Sequence, residues 1–178
     1  MLPGAGTQAS SVAFSQDGRS VAVSYKDGRL VVWDFKAGRI LREFRDGGES
    51  NHAVFSPDNT LLAVALWGQA IVLHDLTDPT GGRVWQMKGH ASVVWGINFL
   101  PGGKTLVSSG DDGMLKFWNL ATHEVALTLK GHTGGVEFAV ARDGNLIASS
   151  GADGTVRFWR ATPVEEMPRN ILAPNVNP

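Results

Sequence analysis

Cysteine is absent from the 178 residues of this chain, which excludes disulfide bonds and metal sites built on thiolates. No apolar run approaches the length of about 20 residues that crosses a bilayer as a helix. An excess of charge of one sign is also lacking, because 16 basic residues stand against 17 acidic ones. Neither nucleic acid nor a membrane surface is therefore an expected partner, and a cytoplasmic location is the default prediction.

Tyrosine occurs only once, whereas glycine occurs 22 times and tryptophan six times. Many of the glycines follow Asp or Ala and separate short runs of apolar or alternating residues, as in residues 11–25. Glycine supplies the positive φ that tight hairpin turns require. Helical spacing is not sustained over a full helix length anywhere in the chain. The sequence therefore predicts an all-β fold built from antiparallel hairpins.

Four similar segments recur at intervals of about 40 residues, which indicates a structural repeat. They end at Trp33-Asp34, His74-Asp75, Trp118-Asn119 and Trp159-Arg160. The first three units each contain four short strand patterns separated by turn residues, and the fourth unit contains three. Gly-His precedes the first strand of two units, and Asp-Gly precedes the tryptophan strand of three: Gly89-His90 and Gly131-His132; Asp27-Gly28, Asp112-Gly113 and Asp153-Gly154.

With these motifs the chain resembles the WD-repeat family of β-propellers over residues from about 10 to 160. The resemblance implies four blades, each a four-stranded antiparallel sheet, at about 10–46, 47–89, 90–131 and 132–161. The last blade is expected to be incomplete because only three of its strand patterns are present. Residues 1–9 are a possible edge strand, and residues 162–178 are predicted to form a short capped helical turn and a loose tail.

In the WD-repeat family, a His, a Ser or Thr, an Asp and the Trp of one blade form a buried hydrogen-bonded chain. The resemblance implies two such structural networks here, with a remnant in the first unit: His90, Ser108, Asp112 and Trp118; His132, Ser149, Asp153 and Trp159; Asp27 and Trp33. A buried indole N–H and a buried carboxylate each need a partner, so a linked chain also fixes strand register. A catalytic triad is the less favoured interpretation, because the arrangement recurs at the period of the repeat.

Three units depart from the pattern. The first keeps Asp27 and Trp33 but has Val23 at the Ser position and no Gly-His before it. The second unit has Val64, Gly68 and His74 at the Ser, Asp and Trp positions, so we expect apolar packing alone to hold this blade. The fourth unit is one residue short between His132 and its first turn, which predicts a bulge or a register slip in its first strand.

Residues at one rim of the expected ring are the candidate partner-binding surface: Trp67, Trp95, Lys26, Asp111, Asn51 and Glu137. Exposed aromatic side chains at such a rim are candidate anchors for a protein or peptide. Alternatively, Trp95 packs between adjacent blades and Trp67 fills space that the lost network leaves. Both interpretations remain open.

Four blades alone leave two apolar sheet faces uncovered, which a soluble monomer rarely tolerates. Three solutions are possible. Two copies could form a homodimer that closes a ring of about eight blades. The chain could instead be a fragment of a longer propeller, or an open arc whose ends are covered by a partner or by its tail. We favour the homodimer, with the fragment close behind.

The preferred function is a non-catalytic scaffold that presents its rim to a protein or peptide partner. No catalytic, metal-binding or cofactor-binding constellation stands out among the acidic residues and histidines, and no cofactor is expected. Since propellers also support catalysis, one alternative is an enzyme or enzyme subunit with a site in the channel. Another alternative is a structural array appended to a signalling protein.

Overall fold

The computed structural model describes residues 7–161 of the chain. These residues form four sheets, which we number as blades 1 to 4. Blade 1 consists of β1 (Ala9–Phe14), β2 (Ser20–Tyr25), β3 (Arg29–Asp34) and β4 (Arg39–Arg45). Blade 2 consists of β5 (Ser50–Phe55), β6 (Leu61–Leu66), β7 (Ala70–Asp75) and β8 (Val84–Lys88). Blade 3 consists of β9 (Val94–Phe99), β10 (Thr105–Gly110), β11 (Met114–Asn119) and β12 (Glu124–Lys130). Blade 4 consists of β13 (Val136–Val140), β14 (Leu146–Gly151) and β15 (Val156–Arg160).

Every sheet is antiparallel, and its strands follow one another in sequence order. The prediction of an all-β fold with four repeats and an incomplete last blade is confirmed, since blade 4 has three strands among the described residues. Ala9 pairs with Tyr25 as the first residue of β1, so it belongs to blade 1 and not to a separate segment. The predicted edge strand at residues 1–6 and the predicted tail at 162–178 lie outside the described residues. No helix long and apolar enough to span a membrane occurs within residues 7–161.

The blades stack side by side in chain order, with the first strands of neighbouring blades in contact. Each junction buries apolar side chains from two facing sheets. Between blades 1 and 2 the buried cluster consists of Ala22, Leu30, Val32, Phe44, Ala53, Phe55, Leu62, Val64, Leu66 and Val72. Between blades 2 and 3 it includes Ala63, Ile71, Leu73, Met87, Ile97, Phe99, Leu106 and Trp118. The core of this protein is therefore a series of interfaces between sheets and not a single centre.

The first strands of blades 1 to 3 each carry a β-bulge, at Ser10, Asn51 and Trp95 respectively. The first strand of blade 4 has none, because Val136 and Glu137 pair in regular register with β14. The prediction of a bulge or slip in this strand is wrong. The residue that blade 4 lacks is the extra residue that forms the bulge in the other three blades, so its shorter strand runs straight.

Two glycines in equivalent hairpin turns differ in how closely a neighbouring segment of the chain approaches them. Gly113 and Gly154 both have φ of 75°, so alanine at either position is strained by about 1 kcal/mol. A Cβ at Gly113 would lie 2.3 Å from the His132 carbonyl oxygen, whereas a Cβ at Gly154 would meet nothing within 4 Å. We expect Gly113→Ala to lower the free energy of unfolding by about 2 kcal/mol more than Gly154→Ala does. Equal losses in chemical denaturation would contradict this packing of blade 3 against the loop before blade 4.

Candidate interaction surface

One rim of the arc is formed by the turn before the third strand of each blade and the segment that leads into its first strand. The amide N–H groups of Lys26, Trp67, Asp111 and Ala152 each donate to a carbonyl of that leading segment in the same blade. The four turns therefore occupy equivalent places along this rim. A β-bulge changes the direction of a side chain. The bulged residue Trp95 contacts residues of two of these turns, Trp67 and Asp111.

Trp67 and Trp95 form an aromatic pair that joins blade 2 to blade 3. Their ring centroids are 5.3 Å apart and the ring planes meet at 81°, which is an edge-to-face arrangement. Trp67 is 48% exposed and Trp95 is half-buried. Trp95 therefore packs between adjacent blades, as one of the two interpretations predicted. Trp67 contacts Trp95 and also leaves part of its indole ring open to solvent, as a candidate partner anchor must.

Carboxylates lie next to this pair. The Trp95 indole N–H donates to Asp111 Oδ1. Asp111 and Glu137 line a cleft of about 370 Å³ between blades 3 and 4, together with Trp95 and Ala152. Burial raises the pKa of the Glu137 carboxyl above its ordinary value. The rim at blades 3 and 4 is therefore acidic and partly aromatic.

The other two predicted rim residues make contacts between blades. Lys26 Nζ of blade 1 is 3.6 Å from Glu49 Oε1, in the segment that leads into blade 2. Both side chains are well exposed, so this ion pair contributes little to stability. Asn51 Nδ2 donates to the Val94 carbonyl oxygen at 3.0 Å and so ties blade 2 to blade 3.

Beneath the rim, blade 3 contains a continuous chain of four hydrogen-bonded side chains. Trp118 Nε1 donates to Ser108 Oγ at 2.7 Å, and Ser108 Oγ lies 2.7 Å from His90 Nε2. His90 Nδ1 lies 2.9 Å from Asp112 Oδ2, which also accepts from the Ala91 amide. A neutral His90 satisfies the whole chain, with Nδ1–H donating to Asp112 and Nε2 accepting from the Ser108 hydroxyl.

Burial lowers the pKa of the His90 imidazole, and the Asp112 carboxylate offsets part of that shift. A lowered pKa favours the neutral imidazole that the chain requires. Asp112 lies in the same turn as Asp111, the acceptor of the Trp95 indole. The buried network thus positions the turn that supports Trp95, and Trp95 in turn contacts Trp67.

Blade 4 contains the equivalent chain. Trp159 Nε1 donates to Ser149 Oγ at 2.8 Å, Ser149 Oγ lies 2.9 Å from His132 Nε2, and His132 Nδ1 lies 3.1 Å from Asp153. Hydrogen bonds from Thr155, and then one from His132, hold the pKa of the Asp153 carboxyl far below its usual range.

Gly110 and Gly151 make room for these two chains, which the sequence motifs did not reveal. A Cβ would lie 2.8 Å from His90 Nδ1 at Gly110 and 2.3 Å from His132 Nδ1 at Gly151. Blades 1 and 2 have Tyr25 and Leu66 at the same strand-end position. A glycine at the end of the second strand was therefore a readable signal of an intact network.

In blade 1 the predicted remnant is not joined. Asp27 pairs with Arg29 at 2.8 Å, and Trp33 is buried with Tyr25 and Val31. No hydrogen bond links Asp27 to Trp33 within the part of the chain that the structure describes.

Blade 2 is not held by apolar packing alone, so that prediction is wrong. His74 Nε2 lies 2.9 Å from Asp46 Oδ1, and both side chains are almost fully buried. The two atoms are close but not aligned as a hydrogen bond, and Asp46 Oδ2 and His74 Nδ1 have no hydrogen-bond partner among the described residues. The His74 ring also packs on the Phe44 ring, with centroids 4.2 Å apart.

Asp46 could have been found from register. It lies four residues before the first strand of blade 2, as His90 and His132 lie four residues before the first strands of blades 3 and 4. Asp46 therefore takes the place of the motif histidine, and His74 takes the place of the motif tryptophan. A direct pair replaces the chain of four side chains.

The geometry thus defines a series of β-propeller blades with buried His–Asp pairs and an aromatic rim. The family model for the WD domain, G-beta repeat (WD40), matches residues 2–34, 81–119 and 124–160, which is more than half of the chain. The chain therefore belongs to the WD40 family, and the predicted resemblance is confirmed. The matched segments leave out residues 35–80, which hold most of blade 2 with its altered network.

Relatives from several organisms share this repeat. The chain is 32% identical over 108 residues to apoptotic protease-activating factor 1 of Homo sapiens, covering 60% of this chain and 8% of that protein. It is 34% identical over 114 residues to the 66 kDa stress protein of Physarum polycephalum, covering 62% and 19%. It is 33% identical over 97 residues to antiviral protein SKI8 of Saccharomyces cerevisiae, covering 47% and 24%. The chain thus spans less than a quarter of the length of each.

A solved structure supports the fold. The β-propeller domain of Cps50 (Swd1) from Myceliophteria thermophila matches with a TM-score of 0.78 at 19% identity. The match covers 89% of this chain and 53% of that chain. The four blades described here therefore correspond to about half of that propeller.

Two adjacent serines of β10 separate the contribution of the network from that of burial. Ser108 and Ser109 are both 0% exposed, but only the Ser108 hydroxyl has hydrogen-bond partners in the described residues. We expect Ser108→Ala to lower the free energy of unfolding by about 1–3 kcal/mol, because His90 and Trp118 are then left without a buried partner. Ser109→Ala should be neutral or slightly stabilising. Equal effects of the two variants in urea denaturation would show that the chain of hydrogen bonds contributes nothing.

Loss of the Asp46–His74 pair should lower the free energy of unfolding by more than loss of the Ser108 hydroxyl does. Asp46→Ala should cost roughly 3 kcal/mol, because it leaves His74 buried beside an empty site. Glu43→Ala, which removes an exposed carboxylate from the neighbouring β4, should change stability by less than about 0.5 kcal/mol. A double-mutant cycle with His74→Phe measures the coupling, which we expect to exceed about 1 kcal/mol. Additive effects would mean that the two residues do not interact.

Proposed function

We propose that the chain is a non-catalytic protein–protein interaction scaffold whose rim binds a protein or peptide partner. The observation that carries the proposal is the Trp67–Trp95 pair, with Trp67 48% exposed on a rigid support. Tryptophan is strongly enriched among the residues that dominate binding energy at interfaces. Membership of the WD40 family supports the same proposal.

The Ser–His–Asp groups argue for structure over catalysis. Ser108 is 0% exposed, and its oxygen is already engaged by the Trp118 indole N–H. A nucleophilic serine needs a free, accessible oxygen beside its base. The same contacts recur one blade later at Ser149, as a structural element does and a catalytic site does not.

Alanine substitution of Trp67 tests whether the rim binds the partner. Trp67→Ala should weaken partner binding at least about ten-fold while leaving the melting temperature nearly unchanged. Leu127→Ala is the matched control, because Leu127 is also about half exposed but lies on β12, the outer strand of blade 3, away from the rim. The measurement compares the proteins retained by the immobilised wild-type chain and by each variant, followed by titration of those retained. Loss of the same proteins from Trp67→Ala and Leu127→Ala would contradict rim binding.

We further infer that two copies of the chain close a ring through their end blades. Blade 1 exposes Val12 and Phe14, and blade 4 exposes Val156 and Phe158, at 57–70% of their surface. Val156 and Phe158 occupy the positions at which Leu115 and Phe117 of blade 3 pack on blade 4. The exposed face of blade 4 is therefore the counterpart of a face that is covered at the internal junction between blades 3 and 4. On blade 1 the exposed part is limited to Val12 and Phe14, because Tyr25, Val31 and Trp33 are buried on the same side of the sheet.

Light scattering behind a sizing column tests this inference. The wild-type chain should have a mass of twice 19.0 kDa that is stable over a range of concentrations. Phe158→Asp should shift the population to monomer, because it places a charge in the contact. Val84→Asp is the control, since Val84 is exposed on the outer strand of an internal blade. A wild-type chain that stays monomeric throughout would overturn the homodimer.

A further inference from the structure

The rim of blades 3 and 4 carries negative charge without a matching positive charge. The segments that form it contain four acidic residues and no Lys or Arg: residues 90–96, 110–113, 131–137 and 150–155. Two of the four carboxylates, Asp112 and Asp153, are engaged by buried histidines and by backbone amides. The other two, Asp111 and Glu137, line the cleft of about 370 Å³ between the two blades. We call this cleft, lined by Asp111, Glu137 and Trp95, the acidic cleft.

Neither carboxylate of the acidic cleft has a cationic partner among the described residues. Asp111 Oδ1 accepts from the Trp95 indole, but Asp111 Oδ2 and both Glu137 oxygens accept no hydrogen bond from the described part of the chain. Burial raises the pKa of the Glu137 carboxyl, and no neighbouring cation lowers it. At blades 1 and 2 the rim differs, because Glu49 there lies 3.6 Å from Lys26 Nζ. The acidic cleft therefore lacks the counter-charge that the other end of the rim provides for itself.

The acidic cleft is open because blade 4 contributes only small groups to its wall. Ala152 is the smallest of the four residues at its rim position, where the other blades have Lys26, Trp67 and Asp111. Blade 4 also lacks the bulged residue that corresponds to Trp95. A Cβ at Gly135 would lie 2.7 Å from Asp111 Oδ1, so the bond between Asp111 and Trp95 requires a glycine here. These small groups leave space beside one indole ring and two carboxylates.

Deeper in the same junction, a polar group has no partner. Ser109 follows Val107 by two residues on β10, so its side chain points toward blade 4, where Val107 packs. The Ser109 hydroxyl is 0% exposed and has no hydrogen-bond partner in the described part of the chain. A Cβ at Gly96, the residue after Trp95, would lie 2.9 Å from Ser109 Oγ. This unused hydroxyl beside the Trp95 segment favours a polar occupant of the junction over an apolar one.

We propose that the acidic cleft binds a positively charged side chain of the partner protein. The inference rests on the proposed function, because it gives the chemistry of the partner at the same rim. A guanidinium or ammonium group between Asp111 and Glu137 supplies the missing counter-charge, and its approach to the Trp95 ring adds a cation–π contact. Trp67, which contacts the Trp95 ring, then packs on the residues next to the basic one.

Peptide titrations followed by NMR test this proposal in the 178-residue chain. The probe is an acetylated and amidated pentapeptide, Gly-Ser-Arg-Ser-Gly, and the control peptide has Gln in place of Arg. We expect the Arg peptide to shift the Trp95 indole N–H resonance and to bind on the order of ten-fold more tightly than the Gln peptide. The difference should shrink when salt is added, because partly exposed charges are screened. Equal affinities of the two peptides, or an unmoved Trp95 resonance, would overturn the proposal.

The variant Glu137→Gln removes one charge and keeps the size of the side chain. It should weaken binding of the Arg peptide about five-fold and leave the melting temperature close to that of the wild type. Glu49→Gln is the matched control, because Glu49 is a rim carboxylate that is already paired with Lys26. The control should change the affinity for the Arg peptide by less than about two-fold. Equal losses in the two variants would contradict a site at blades 3 and 4.

Two further outcomes separate this proposal from rim binding itself. A chain with both Asp111→Asn and Glu137→Gln could still retain the partner proteins that Trp67→Ala loses. That result would leave rim binding intact and overturn the proposed charge recognition. Arg169 of the chain's own tail is the competing cation. Binding of the Arg peptide only in the variant Arg169→Gln would mean that the chain fills the cleft itself, which also contradicts the proposal.

Discussion

Contact between the apolar faces of neighbouring sheets is the constraint on which the rest of this protein depends. Leu30, Leu62, Ile71, Leu73 and Leu106 are all 0% exposed, and each lies at a junction between two blades. Burial of one such side chain is worth about 1.5–3 kcal/mol. Most of the buried apolar side chains lie at these junctions, so the stability of a blade depends on the neighbours that cover it. The ends of the arc are therefore as important as its interior.

Polar networks act on top of this packing, and they connect the core to the rim. In blade 3 the chain from Trp118 through Ser108 and His90 ends on Asp112, whose turn also carries Asp111. Asp111 accepts from Trp95, and so a buried network supports an exposed aromatic pair. The same physical device that fixes strand register also holds the proposed binding surface rigid, which reduces the entropy lost when a partner binds.

Much of the fold was predictable because the repeat brings strand patterns, turns and motif residues together at one period. Two errors have physical causes. The sequence predicted a bulge in blade 4 from its missing residue, but the missing residue is itself the bulge of blades 1 to 3. Asp46 was missed because no motif marks it. Its importance comes from register, which places it beside His74 across the junction. The contact between Trp67 and Trp95 depends on the bulge at Trp95, and side-chain direction at a bulge cannot be read from alternation.

The proposed closure of a ring by two copies is tested most directly by small-angle X-ray scattering of the 178-residue chain in solution. If two copies close a ring, the scattering should be that of a ring with a central channel and two-fold symmetry, of which the four blades here form half. The measured scattering should fit this closed ring over a range of protein concentrations. Scattering that fits one open arc of four blades at every concentration would contradict the account, because it would mean that Val12, Phe14, Val156 and Phe158 stay bare in solution.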